Sequence, residues 1–459
     1  MSRYLLAEKY FDKIDVFEKR SHVGGVWNHA PGVLKKDKRI SVPQLDPNEP
    51  VEGHVWHPSG HKDRKPEATF LSPVYDTLET NLPKELMRFS DLPFPPDVQV
   101  LPPHGAVLKY LDDYAQDIKD LIQFETQVND LRPSSSDAQK WALTRESLRA
   151  GTSETSIYDA VVVASGHYDA IYLPDIEGIR EWNQAYPGAI SHSKFYDSPA
   201  SFQDKKALVV GNGASGIDIG AQIGTVSKGN LLRTERSESY IQVGSSPGEI
   251  VYPEVVEFLS PASHDRAVRF ADGRIESEID SIVFCTGYLY SFPFLRSLDP
   301  PVITDGRRTV NTYQHLFYTY NPTLAFPVMT QRIVPFPFSE SQAAVVARVW
   351  SGRLTLPSQA DRKAWEDNLI AERGTGTFFH FLPFPQDVEA MDIFHDWAAS
   401  AEKRPGLTNE GTGKLPPYWT KYERLLRENA LHIRKAFVAK GKDRSAIKSA
   451  AELGFTPET

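Results

Sequence analysis

"KALVVGNGASGIDIGAQI" (residues 206–223) decides the fold class of this 459-residue chain. Ala207 to Val210 is an apolar run that stops at glycine, the pattern of a strand buried on both faces. Gly211, Gly213 and Gly216 follow as G-x-G-x-x-G. A helix is expected from about Ala214, with apolar Ile217, Ile219, Ala221 and Ile223. Strand, glycine turn and helix in that order make a dinucleotide-binding unit. Gly211 permits the tight turn, Gly213 lets a pyrophosphate approach the backbone, and Gly216 lets the helix pack on the strand. The helix N-terminus offers free N–H groups and its dipole to the phosphates. Ala214, Ser215 and Asp218 on its first turns complete the candidate set.

The next strand, "NLLRTERS" (residues 230–237), should end at the ribose. An acid there favours NAD, and arginine favours the extra phosphate of NADP. Arg233 and Arg236 flank Glu235, so NADPH is expected. The plainer alternative is a pair of solvated strand-end charges.

Similar runs recur at "KIDVFE" (13–18), "YDAVVVASG" (158–166) and "IDSIVFCTG" (279–287). With helical segments between some of them, the class is α/β with parallel sheet. Residues 130–158 read as hairpins turning at "PSSSDAQ" (133–139). Residues 92–105 are proline-rich loop, and amphipathic helices are expected from about Ala360. Ser72-Pro73 reads as an N-cap and first helical position, opening a helix to about Thr80. Pro83 can open the next helix. Ser339-x-x-Gln342 fits a capping box before the apolar helix 343–350.

The opening "MSRYLLAEKYFDKIDVFEKRSHVGGVWN" (1–28) reads as a helix, Tyr4 to Tyr10, then a strand, Ile14 to Phe17, ending at Glu18. That is the back half of a second dinucleotide unit, without the strand and glycine turn of its front half. The expectation is a chain that begins just after that turn and is unstable or loads its dinucleotide poorly. About 20 upstream residues, a strand and its glycine turn, would then restore that loading.

Length suggests two or three domains. Hydrophobic content of 40% and charged content of 24% are those of a globular chain, and a net charge of -9 weighs against nucleic acid as partner. Cys285 is the one cysteine, so no disulfide framework or CxxC chemistry is available. No apolar run approaches 18 residues, and no signal-peptide core is present. A cytoplasmic protein without a membrane span is expected. The 13 histidines show no H-x-x-x-H or H-E-x-x-H helix, so no metal is expected.

"YPGAISHSKFYD" (186–197) sets Tyr186, Gly188, His192 and Tyr196 at aromatic-x-G-x-x-x-H-x-x-x-aromatic spacing. This resembles the fingerprint of the flavin-containing monooxygenases, with Tyr186 where Phe is usual. "VGGVW" (23–27), "YDTLETNLP" (75–83), "VFCTGY" (283–288) and "ESQAAVVARVWSG" (340–352) resemble further family segments in the same order. The chain looks most like the soluble fungal members of dimethylaniline monooxygenase type.

The resemblance implies two Rossmann-like units: an FAD-binding domain, 1–166 and 284–459, with an NADPH-binding domain, 167–283, inserted. It implies FAD contacts from Glu18 at the ribose, Arg20 near the adenine, Gly25, Val26, Trp27, Thr80, Val128 and Gln342. Asn81 would face the flavin ring and nicotinamide as the catalytic side chain. The helix after Gln342 would point its N-terminus at the flavin pyrimidine. NADPH would reduce FAD, dioxygen would give a flavin hydroperoxide, and a soft amine or sulfur nucleophile of a small molecule would take the distal oxygen. Baeyer–Villiger relatives usually carry Trp-Pro where Tyr196-Asp197 stands, which argues against carbonyl oxygenation. A substrate-specific N-hydroxylase, a Baeyer–Villiger-type enzyme and a truncated non-catalytic relic stay open as alternatives, as does oligomer formation.

Overall fold

The computed structural model describes residues 1–30, 32–35, 40–58, 65–236 and 248–456; Ser237, the last residue of the ribose strand as read above, lies outside them. Among the described residues, five strands run parallel in the order Ile190–His192, Ser281–Phe284, Ala207–Val210, Leu231–Thr234 and Glu249–Tyr252. The glycine-loop strand is central. All its residues are buried, as are those of Ser281–Phe284, which is what unbroken apolar strands require. Fully burying each Leu, Val, Ile or Phe here contributes roughly 1.5–3 kcal/mol. Val210 pairs with Phe284 on one side and Thr234 on the other. The three strands therefore end level, and the glycine turn emerges at their carboxyl edge, where open α/β sheets bind ligands. Helix Ala214–Ile223 covers one face through Ile219 and Ile223.

Val161–Val162 pairs in parallel with Leu324–Ala325, although the whole five-stranded sheet lies between them in sequence. The outgoing crossover Ala170–Ile171 and the returning one, Tyr288–Leu289, pair antiparallel. A further short parallel ladder joins Val16–Phe17 to Ile122–Gln123. Among the described residues no strand links these two ladders, and Val16, Phe17, Val161 and Val162 are only half-buried.

The hairpins form an antiparallel sheet of Thr126–Pro133, Trp141–Ser147 and Thr152–Tyr158, with a bulge between Val128 and Asp130. Helix Pro335–Trp350 packs on Gln386–Ala399, and its Ala343 to Ala347 are 0% exposed. Helices Gln359–Arg373, Lys421–Glu428 and Ala430–Ala439 fall where amphipathic pattern puts them. No helix among the described residues is long and apolar enough to cross a membrane.

Several local expectations are corrected. The first helix is Ser2–Ala7 and stops before Tyr10, because the chain turns at Lys9 with φ 49°. The strand after it shrinks to Val16–Phe17, the length its single partner supports. Residues 72–80 form no helix. Ser72 Oγ accepts from the Val74 N–H at 3.2 Å and donates to the Val26 carbonyl. The following amides turn sideways: Asp76 N–H to the Asp197 carbonyl at 3.3 Å, and Thr80 N–H to the Pro102 carbonyl at 2.9 Å. Long-range partners thus replace the i→i−4 ladder. The capping box is also absent. The helix opens at Pro335, whose ring presets φ for a first helical turn. Ser339 lies inside it, donating to the Phe336 carbonyl at 2.6 Å.

Candidate functional site

The glycine turn carries the geometry its spacing calls for. Gly211 has φ +115°, and a Cβ there would sit 2.7 Å from the Cys285 carbonyl oxygen. A Cβ on Gly216 would lie 2.0 Å from the Gly211 carbonyl oxygen. Both positions exclude a side chain. A Cβ on Gly213 would meet nothing within 4 Å, so that face of the turn is open. Gly213 is the N-cap of Ala214–Ile223 and no side chain caps this end. The first-turn N–H groups, including those of half-buried Ala214 and Ser215, are left to a ligand. The residues fit a dinucleotide pyrophosphate.

Arg233 does not fit its expected role. Its side chain is 1% exposed, Nε lies 2.6 Å from Glu249 Oε1, and Nη1 lies 3.2 Å from Glu235 Oε2. Strand alternation turns it into the sheet, where only a paired charge is tolerated. Arg236 is 77% exposed and lies 3.8 Å from Glu254. Asp218 is also occupied: it accepts from Tyr75 Oη, from Gln222 Nε2 at 3.1 Å and from Arg434 Nη2 at 3.3 Å.

Tyr75 opens the segment that leads to Asn81, and alternate residues of this segment are tethered. Tyr75 bonds Asp218, Thr77 Oγ1 donates to Gln222 Oε1 at 2.9 Å, and Glu79 accepts from Gln99 at 2.8 Å and from Arg444. Thr80 is buried and donates to the Leu82 carbonyl at 2.9 Å. Asn81 follows, half-buried, and its amide has no hydrogen-bond partner among the described residues. Pro83 then caps the short helix Lys84–Met87.

The fingerprint residues are structural supports. His192 is 0% exposed; Nε2 donates to the Gly287 carbonyl at 3.0 Å and Nδ1 accepts from the Lys194 N–H at 3.2 Å. Burial lowers its pKa to about 3, so the ring is neutral and ties the sheet edge to the returning crossover. Gly188 takes φ +83° in the turn before it. Tyr186 packs on Trp182, and Tyr196 is buried edge-to-face on Tyr75 with its hydroxyl 2.9 Å from Gln222 Oε1. Burial raises the Cys285 thiol to about 12, so it stays protonated.

Glu18 follows the strand Val16–Phe17, and its Oε1 accepts the Arg20 N–H at 2.8 Å. Burial pushes its carboxyl above the usual range. The Arg20 guanidinium is committed to the Phe70 and Leu71 carbonyls at 3.0 and 3.1 Å, which draws it toward the 67–71 segment. Gly25 to Trp27 form a single 3₁₀ turn. A Cβ on Gly24 would strike Leu108 at 2.4 Å, whereas one on Gly25 would meet nothing within 4 Å. Val26 receives the Ser72 hydroxyl on its carbonyl, and Trp27 packs against the cluster of Met87 and Phe89. Val128 is half-buried against Leu131 and Trp141 beside the bulge. Gln342 is fully buried; Oε1 accepts from the Val328 N–H at 2.8 Å, and Nε2 has no partner among the described residues. A buried amide donor left unpaired costs about 1–3 kcal/mol, a debt that a bound acceptor cancels. The open face of Gly25, the Glu18 carboxylate and the bare Gln342 and Asn81 amides fit FAD.

Sequence reading missed a charged cluster between these two halves. His29 Nε2 lies 2.8 Å from Asp197 Oδ1, and buried Lys35 donates to the Val74 and Tyr196 carbonyls at 2.5 and 3.0 Å. Burial lowers the Lys35 ammonium to about 8. Nothing in local spacing marks these residues. Tyr75 and Thr77 lie in the "YDTLETNLP" stretch, whose expected helix gave no sign of their partners.

Residues 61–260 and 247–373 match the family model described as flavin-binding monooxygenase-like. A flavin-containing monooxygenase of Amanita muscaria (strain Koide BX008), iboF, is 27% identical over 454 residues, covering 85% of this chain and 84% of the relative. The Arabidopsis thaliana flavin-containing monooxygenase FMO GS-OX-like 2 is 32% identical over 411 residues, covering 85% and 80%. The structure of an S-allyl-L-cysteine S-oxygenase from Allium sativum superposes with a TM-score of 0.75 at 24% identity, over 99% of this chain and 93% of that one. The chain belongs to the flavin-binding monooxygenase-like family, and is a flavin-dependent monooxygenase whose cofactors are FAD and NADPH.

Proposed function

We propose that this enzyme transfers one oxygen atom of dioxygen to a soft nucleophilic nitrogen or sulfur of a small molecule, at the expense of NADPH. The observation that carries the reading is the bare Asn81 amide at the end of a segment tethered to the nucleotide helix. Bound FAD, once reduced, supplies the activation of dioxygen, and the protein supplies orientation and exclusion of water.

Each residue then has a definite task. The first-turn N–H groups after Gly213 hold the NADPH pyrophosphate, and Arg236 meets the ribose phosphate. Glu18 accepts from the ribose hydroxyls of FAD. Gln342 Nε2–H and the Asn81 amide donate to acceptors at the reacting ring. Neutral His192 keeps the crossover in register and moves no proton. We assign 1–166 and 284–459 to the FAD unit and 167–283 to the NADPH unit; the paired crossovers Ala170–Ile171 and Tyr288–Leu289 lie a few residues past those joints, and Phe284 stays with the strand Ser281–Phe284. The S-oxygenase activity in the name of the Allium relative supports sulfur as one acceptor class.

The test is NADPH oxidation by purified protein supplied with FAD, with and without a tertiary amine or a sulfide. Product oxide formed in step with NADPH supports the reading. Peroxide release alone, or a lactone formed from a cyclic ketone, overturns it.

A further inference from the structure

We infer that the pairs Tyr75–Asp218 and Thr77–Gln222 form a clasp that sets the register of Asn81 against the nucleotide helix. The inference rests on the function proposed above and identifies positioning residues for it.

Asp218 and Gln222 are four residues apart on helix Ala214–Ile223 and share one face. Tyr75 and Thr77 are two apart in a turn closed by the Leu78 N–H to the Tyr75 carbonyl at 3.1 Å, and both hydroxyls reach that face. The two rows match: the Tyr75 hydroxyl goes to Asp218, and Thr77 Oγ1 to Gln222 at 2.9 Å. Gln222 Nε2 closes the row by donating to Asp218 at 3.1 Å, and the Tyr196 hydroxyl lies 2.9 Å from Gln222 Oε1. Arg434, from the C-terminal helix, reaches the other Asp218 oxygen at 3.3 Å. Tyr75 is 3% exposed and desolvation raises its pKa far above the ordinary value, so it remains a donor. A hydrogen bond from a neutral hydroxyl to a carboxylate is among the stronger kinds.

The other anchors of this stretch do not touch the nucleotide helix. Glu79 is held by Gln99 and Arg444, Thr80 N–H by the Pro102 carbonyl, and His104 N–H by the Leu78 carbonyl. The clasp is therefore the polar side-chain link, among the described residues, between the segment carrying Asn81 and helix Ala214–Ile223, beside the apolar packing of Leu78 on the cluster that holds Ile219 and Ile223. Among the described residues Asn81 itself makes no bond that could hold it. Its position depends on what fixes the residues before it, and a misplacement near 1 Å can cost on the order of a hundredfold in rate.

Amide deuterium exchange of residues 76–82, in full-length protein without cofactor, tests the clasp. Tyr75→Phe and Asp218→Ala should each speed exchange about tenfold, the factor such a bond is worth. Asp218→Asn keeps an acceptor and should retain protection. The double variant Tyr75→Phe/Asp218→Ala should be no faster than either single one. Thr77→Val, at an exposed position, serves if the buried variants fail to fold, and should speed exchange in the same segment. With FAD, NADPH and a sulfide present, Tyr75→Phe should divert several-fold more NADPH into peroxide. Unchanged exchange in these variants overturns the clasp. Faster exchange with an unaltered ratio of product to peroxide overturns its link to Asn81. Absence of any NADPH-driven oxygenation in the parent protein strikes the proposed function instead, and leaves the exchange result to decide the clasp.

Discussion

Arg233 Nε sits 2.6 Å from Glu249 Oε1 across neighbouring parallel strands, with the two side chains 1% and 7% exposed. Removing one partner of a buried pair leaves an uncompensated charge and costs about 3–5 kcal/mol. Arg233→Ala should therefore lower the urea midpoint sharply. Arg236→Ala should leave it within about 0.5 kcal/mol and reduce the NADPH-over-NADH ratio in kcat/KM. A selectivity change confined to Arg233→Ala would reverse the assignment.

Gly216→Ala and Gly213→Ala separate packing from binding. The first places a Cβ 2.0 Å from a carbonyl oxygen and should destabilise the fold, read as a drop in unfolding midpoint. The second meets no protein atom. It should leave the midpoint unchanged and weaken NADPH binding at least tenfold, measured by titration.

Asn81→Ala should not affect stability beyond about 0.5 kcal/mol, since the amide has no partner to lose among the described residues. Product yield per NADPH should fall and peroxide rise. Equal yield in the variant would remove Asn81 from the reacting centre.

Buried histidines set an acid limit. Burial lowers His192 and His315 to about 3 and His167 to about 4, from the usual 6.5. Between those values and 6.5 the unfolded chain binds protons that the folded one refuses, so stability rises with pH. It is complete above pH 6.5 and is lost as pH falls toward 3, each ring removing up to about 1.4 kcal/mol per pH unit. His192→Asn should flatten that slope by one proton in urea unfolding between pH 6.5 and 4. An unchanged slope would mean that His192 is not a buried neutral ring.

What could be read along the chain was whatever depends on near neighbours. The strand–glycine–helix order of 206–223 needed only spacing, because Gly211, Gly213 and Gly216 answer to contacts within a single turn. The hairpins of 130–158 needed only a turn signal and a strand run, and the C-terminal helices only amphipathic period. The sequence alone therefore determined the α/β class, the nucleotide turn and the residues of the fingerprint.

Tertiary structure decided the rest, since a polar group goes to the partner that burial brings to it. Ser72 had a cap's chemistry, but the amides after it found Asp197 and Pro102 and no helix formed. Ser339 and Gln342 had a capping box's spacing, but Pro335 began the helix earlier and Val328 took the Gln342 oxygen. Arg233 had a phosphate clamp's position, but Glu249 came alongside from a strand that local order does not reveal. Asp218 was read as a nucleotide ligand and bonds Tyr75 instead, more than a hundred residues away in sequence, because folding packs that segment against the helix.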